Sequence, residues 1–182
     1  VLLKCGDKIT TDHIMPAGTY LKLRSNVPEY AKVVFNCFNE AGKPTFAERA
    51  LALKAKDVGG IVVAGESYGQ GSSREHAALC PMYLGVRAVI ARSIERIHRA
   101  NLINFCIVPI RLADVADYDR LQAGDELAID DLLGAIRNSE QVKVRKADGS
   151  FEFMGRLELS TRDRDILLAG GLLNYTRGKA HG

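Results

Sequence analysis

Three short apolar runs in the middle of the chain, 60–64 (Gly-Ile-Val-Val-Ala), 87–91 and 106–110, alternate with two stretches of helical periodicity, 73–84 and 93–104. Runs this short, separated by helices, read as strands. Strand–helix–strand units with short joints pair in parallel through right-handed crossovers. The centre therefore fixes an α/β class. With 182 residues, one compact domain with its own core is the simplest organisation.

The flanks have a different texture. The first third is rich in turn signals, at Gly6-Asp7-Lys8 and Pro16-Ala17-Gly18. Residues 32–35 (Lys-Val-Val-Phe) suggest a short strand, and 46–56 a helix rich in Ala, Leu and Lys. After Ala113, segments 126–129, 141–145 and 151–159 alternate as half-buried strands, with Asp148-Gly149 as the hairpin turn between the last two. Residues 162–168 suggest a last helix, closed by Gly170-Gly171. The expectation is a mixed sheet, open or barrel-like, in which a parallel core is extended by antiparallel strands.

Between the first central strand and the first central helix lies the segment with chemistry in it, Gly65-Glu66-Ser67-Tyr68-Gly69-Gln70-Gly71-Ser72-Ser73-Arg74-Glu75-His76. Ser72 and Glu75 fit a capping box, which is a purely structural use. A second serine, Ser73, is redundant for that purpose. Arg74 places a cation where the helix dipole favours acids, so an anion is expected there. An oxygen at this junction would feel free N–H groups, the dipole and Arg74 together, as in an oxyanion hole. A serine base needs such help, because each unit of lowered pKa corresponds to about 1.4 kcal/mol. His76, with no nearby ligands, is expected to hydrogen-bond to neighbouring loops and not to a metal. The second constellation is Thr10-Thr11-Asp12-His13, followed by Tyr20-Leu21-Lys22-Leu23-Arg24. By itself it is a turn network and a surface arginine. Beside a serine site, however, Arg24 and Arg74 together suit a substrate with several carboxylates.

Gly-Asp-x-Ile-Thr-Thr-Asp-His-Ile from Gly6, Gly-Gln-Gly-Ser-Ser-Arg-Glu-His-Ala-Ala-Leu from Gly69, and Ala-Arg-Ser-Ile-Glu-Arg-Ile-His-Arg-Ala-Asn-Leu from Ala91 occur in that order. In these stretches the chain resembles the carboxy-terminal, swivelling β/β/α domain of the aconitase family. The resemblance implies a hydro-lyase that interconverts citrate, cis-aconitate and isocitrate. It implies Ser72 as the base, Ser73 and Arg74 as substrate contacts with Arg74 also stabilising the serine anion, and Arg24 as the grip on the far carboxylate. Asp12 carries over as an accessory catalytic residue. The same resemblance implies a [4Fe-4S] cluster bound by other domains, in cis or on a separate subunit. This chain is then inactive alone and is expected to be the C-terminal part of a longer polypeptide, in keeping with a first residue that is Val1.

Composition sets the remaining bounds. The four cysteines are scattered, without any Cys-x-x-Cys, so neither a zinc site nor a cluster is expected on this chain. Three of them lie in apolar runs, which points to buried thiols and a reducing, cytoplasmic-type compartment. No apolar stretch approaches a membrane span, so no membrane role is expected. A net charge of +3 is too small for a dedicated nucleic-acid binder. Two alternatives stand beside aconitate hydratase. The small subunit of isopropylmalate dehydratase or homoaconitase shares the serine loop, but Arg24 suits a carboxylate better than a branched apolar group. RNA binding by a cluster-free aconitase would need Arg92, Arg96 and Arg99, at helical spacing, to form a basic face.

Overall fold

The computed structural model describes residues 1–180. Seven strands form one sheet in the order β1-β2-β3-β4-β7-β6-β5. β1 (Leu3–Lys4), β2 (Gly60–Ala64), β3 (Val86–Ala91) and β4 (Val108–Leu112) are parallel, and β5 (Leu127–Ile129), β6 (Gln141–Lys146) and β7 (Glu152–Arg156) join them antiparallel. The burial patterns follow from this. Every residue of β2 is buried, because layers cover both faces. β6 and β7 begin by alternating exposed and buried residues, as strands with one wet face do.

Successive residues of the central strands feed opposite cores. Val62 and Val89 pack with Tyr30, Phe35 and Phe46 on one face, while Val63 and Ile90 pack with Ile110, Phe153 and Ile166 on the other. The first face is covered by α1 (Thr11–Ile14), α2 (Val27–Ala31), α3 (Phe46–Lys54) and α4 (His76–Tyr83). To the second belong α5 (Arg96–Asn104), in part, α6 (Leu132–Asn138) and α7 (Thr161–Leu168), followed by α8 (Leu172–Ala180). The sheet curls far enough that Val1, before one edge strand, exchanges main-chain hydrogen bonds with Gly124 and Asp125, before the other. It is an open mixed sheet drawn toward a barrel.

Several expected elements differ. Residues 32–35 are turns: Phe35 adopts a left-handed φ of 53°, its N–H donates to Ile14 O, and its ring packs on Phe46. Apolar residues here fill the core without a strand to carry them. β4 begins at Val108, two residues late, because Cys106 has φ of 57°, which no strand accommodates. β7 ends at Arg156, short of 159. Both central helices start three residues late, at His76 and Arg96.

Candidate functional site

The late helix starts are the key to the site, since the residues before each helix are used as strand-like tethers. Beyond β2, Gly65 N donates to Gly6 O, Lys8 N to Glu66 O, and Gly69 N and Gln70 N both to Ile9 O. Thr11 N then donates to Gln70 O. On the other side Ser67 N donates to Ser93 Oγ at 2.8 Å, Tyr68 N to Ser93 O, and Glu95 N to Tyr68 O. The serine loop is thus zipped between the loops that follow β1 and β3. The three stretches that carry the family resemblance meet here, at the carboxyl ends of the parallel strands, where α/β sheets bind ligands.

Past Gln70 the tethers thin out. Thr11, only 2 % exposed, donates its hydroxyl to Ser72 O at 3.0 Å. The Ser72 and Ser73 side chains are exposed, and the main-chain N–H groups of residues 71–76 find no acceptor among the described residues. The capping box does not form: Glu75 is the N-cap and makes no side-chain bond to the helix. Both serines are therefore free of structural duty. A consecutive row of main-chain donors beside an exposed hydroxyl is the arrangement that favours an anion.

Arg74 precedes the first helical turn instead of sitting in it, and it already has an anion. Its Nη1 and Nη2 reach the two carboxylate oxygens of Asp12 at 2.5 and 3.1 Å, and Nη1 also donates to Met15 O at 3.4 Å. The hydrogen bond from Arg74 is the main reason the Asp12 carboxyl sits below its ordinary range. Asp12 lies on α1, a single turn capped by Thr10 and His13 in a reciprocal box. Asp12 thus gains a definite place, as the partner that fixes the Arg74 guanidinium. Three of Arg74's five N–H groups are engaged, which leaves two for a ligand.

His76 bonds a neighbouring loop as expected. Its Nε2 lies 3.0 Å from Arg24 O, and since a carbonyl only accepts, Nε2 carries the proton. Its ring packs against Tyr30 at 5.4 Å, and Tyr30 donates its hydroxyl to Pro16 O. The 3-10 turn Gly18–Leu23 is pinned in this way to the start of α4. The Arg24 side chain is exposed and has no hydrogen bond or ion pair among the described residues. The structure therefore brings Asp12, Arg24, Ser72, Ser73 and Arg74 to one end of the domain.

The supposed basic face does not assemble. Arg92 follows β3 instead of belonging to α5, stacks on Tyr118, and pairs with Asp119 at 3.3 Å. Arg99 donates to the Glu158 carbonyl. The four cysteines are free, with Cys5 and Cys80 buried, Cys106 half-buried and Cys37 exposed. Among the described residues no three His, Cys, Asp or Glu side chains are grouped so as to hold a metal. The residues present do not fit an iron–sulfur cluster. Nor is any helix among them long and apolar enough to cross a membrane.

Fold and site together define an α/β domain that presents a donor-rich serine loop braced by an aspartate–arginine pair. Residues 17–115 match the family model of the aconitase C-terminal domain, and the chain belongs to that family. It is 33 % identical to a mitochondrial aconitate hydratase of Gracilaria gracilis, over 96 % of this chain and 24 % of that protein. It is 40 % identical to 3-isopropylmalate dehydratase small subunit 2 of Archaeoglobus fulgidus, over 98 % of this chain and 93 % of that one. The crystal structure of a 3-isopropylmalate dehydratase from Methanocaldococcus jannaschii superposes with a TM-score of 0.73 at 30 % identity, over 98 % of this chain and 92 % of the other. The chain spans about a quarter of the length of the aconitate hydratases it matches. The relatives are hydro-lyases by name.

Proposed function

We propose that this chain supplies the base and the carboxylate grip of a hydro-lyase site, acting on citrate and isocitrate as aconitate hydratase does. The observation that carries the proposal is the serine loop itself, where an exposed Ser72 hydroxyl stands in a row of uncommitted N–H donors beside an arginine that Asp12 locks in place. Ser72 Oγ takes the proton from the substrate carbon. The C–H electron pair becomes the new double bond, and the hydroxyl group leaves from the adjacent carbon. Ser73 and the two open N–H groups of Arg74 hold the near carboxylate, and Arg24 holds the far one. No three His, Cys, Asp or Glu side chains among the described residues are grouped to hold a metal that would take the departing hydroxide. The proposal therefore includes a cluster-bearing polypeptide, in cis or as a separate subunit. The free cysteines favour a reducing, cytoplasmic-type compartment.

A second reading, the small subunit of an isopropylmalate dehydratase, is favoured by 40 % identity to the archaeal subunit. Arg24 separates the two. Turnover of citrate and of isopropylmalate is measured after the chain is combined with a cluster-bearing partner, with the chain alone expected to be inactive. Arg24→Ala should lower kcat/KM for citrate by about 10- to 100-fold, the worth of a hydrogen bond between charged groups. Ser72→Ala should lower kcat by at least 100-fold. Faster turnover of isopropylmalate than citrate by the parent chain, or an Arg24→Ala variant as active on citrate as its parent, would favour the second reading. Turnover by the chain alone would overturn the division of the site.

A further inference from the structure

Behind the serine loop lies a small chamber of about 10 Å³, walled by Gly69, Gly71 and Ser72–Arg74 on one side and by α5 on the other. Three residues of α5 line it, the apolar Ile97 and two polar ones, His98 at 2 % exposure and Asn101 at 8 %. Both ring nitrogens of His98 and Nδ2 of Asn101 are buried without any hydrogen-bond partner among the described residues. Each such atom costs about 1–3 kcal/mol if it stays unmet, and buried polar atoms in folded proteins are almost always met. The His98 ring is gripped by shape alone: its edge packs on Tyr68 at 5.2 Å, and a Cβ on Gly69 would fall 2.2 Å from its Cγ. Its placement therefore serves something other than a bond within the chain.

The chamber is at the lower bound of what one water needs, and the groups around it match the valences of water. Asn101 Nδ2 can only donate, whereas a neutral imidazole offers one donor and one acceptor. A water that accepts from Asn101 and bonds one ring nitrogen of His98 still has valences left for the polar main chain of the loop opposite. Burial pushes the His98 ring down to about 4, which keeps it neutral and its acceptor nitrogen available near neutral pH.

We propose that His98 and Asn101 are positioning residues of the serine site, holding one sequestered water that braces Gly69–Arg74 and so fixes where the Ser72 hydroxyl stands. The inference rests on Ser72 as the base for its catalytic consequence, but the water site stands or falls separately.

The test has two arms. In the assembled enzyme, His98→Phe keeps a ring against Tyr68 and removes both nitrogens, Asn101→Leu removes the amide, and His98→Gln restores a polar tip. The first two should each lower kcat about tenfold with KM changed less than twofold, and His98→Gln should recover most of that loss. In a Ser72→Ala background His98→Phe should cost nothing further, whereas a merely structural residue would add its full penalty. His98→Phe within twofold of the parent, or an undiminished further loss in the Ser72→Ala background, would overturn the positioning role. In the second arm, the ¹⁵N-labelled, unsubstituted chain is examined by NMR for a rotating-frame cross-peak between a His98 ring proton and a long-lived water. The cross-peak is expected, and its absence sinks the water site whatever the variants do. If Ser72→Ala keeps full turnover while the cross-peak is present, the base assignment fails and the bound water remains.

Discussion

Gly69 and Gly71 stand two residues apart in the serine loop, and substituting each with alanine isolates what His98 contributes to holding it. Both have φ in the left-handed half, +86° and +105°, so both alanines pay backbone strain of about 1–3 kcal/mol. They differ in what the new methyl meets. At Gly71 the nearest atom is Thr11 Oγ1 at 3.6 Å, an ordinary contact. At Gly69 the methyl would lie 2.2, 2.3 and 2.4 Å from Cγ, Cδ2 and Cβ of His98, and that buried ring, packed on Tyr68, has nowhere to swing. Overpacking of this kind adds about 1–3 kcal/mol. Gly69→Ala should therefore destabilise by about 2–6 kcal/mol and Gly71→Ala by about 1–3 kcal/mol. Urea unfolding followed by circular dichroism reads both. With a slope of about 2 kcal/mol per molar urea, the midpoint should fall by about 1–3 M for Gly69→Ala and about half of that for Gly71→Ala. Replacing His98 by glycine removes all three of these atoms, so in that background the Gly69→Ala penalty should drop to the Gly71→Ala level. Equal penalties in the parent chain, or a Gly69→Ala penalty that His98→Gly fails to relieve, would refute the claim that the loop is seated on this ring.

Two further outcomes follow from the charges. Asp12→Asn removes the bidentate partner of Arg74; because the pair is partly exposed, unfolding stability should fall by no more than about 1 kcal/mol, while kcat/KM in the assembled enzyme falls at least tenfold as the guanidinium loses its orientation. A stability loss without an activity loss would leave Asp12 a structural residue. The depressed Asp12 carboxyl gives stability that is present above its ordinary value and lost as pH falls through the lowered one. His98 gives a larger acid-side effect. Its ring stays neutral in the fold down to about 4 but takes a proton near 6.5 when unfolded, so its contribution is complete above pH 6.5 and declines as pH falls toward 4. The shift corresponds to about 3 kcal/mol over that window. The one charged side chain lining the same chamber, Arg74, is already paired with Asp12. Urea unfolding of the parent and of His98→Gln between pH 7.5 and 4.5 checks this, and parallel pH profiles for the two would count against it.

What was legible in the sequence is what periodicity controls. Residues 60–64 read as a strand because they form a short apolar run, and 141–145 and 151–159 read as strands because they alternate, although the last ends at Arg156. The errors around the serine loop share one cause, long-range pairing that overrode a local pattern. Ser72 and Glu75 carry the spacing of a capping box, yet the loop before them is drawn out as a strand extension by Ile9 and Ser93, so the helix starts past Glu75. Arg92, Arg96 and Arg99 have helical spacing only if the helix reaches back to 92, and Arg92 instead lies just past the end of β3, outside α5. Asp12 and Arg74 are 62 positions apart and no spacing rule joins them. His98 and Asn101 did leave a trace. At i and i+3 they share the face of α5 that Leu102 buries, and a polar pair on a buried face is a signal worth pursuing.

The ion pair also changes how the site's electrostatics divide. A serine loop with a lone arginine would rely on that cation to stabilise a serine anion. Here Asp12 cancels most of the Arg74 charge at 2.5 Å, so beyond a few ångströms the pair acts as a fixed dipole with two N–H donors still unengaged. The burden of holding a Ser72 anion then shifts to the uncommitted main-chain N–H groups of 71–76, which cannot be titrated and need no reorganisation when the proton moves. The other site arginine, Arg24, has no side-chain partner among the described residues and lies on the loop that His76 pins to the start of α4. Long-range attraction of a polyanion therefore falls to Arg24, and local control of the reacting carbon to the serine loop. On this division, Arg24→Ala acts mainly on KM and loss of the loop's seating on His98 acts mainly on kcat, which separates binding from chemistry within one chain.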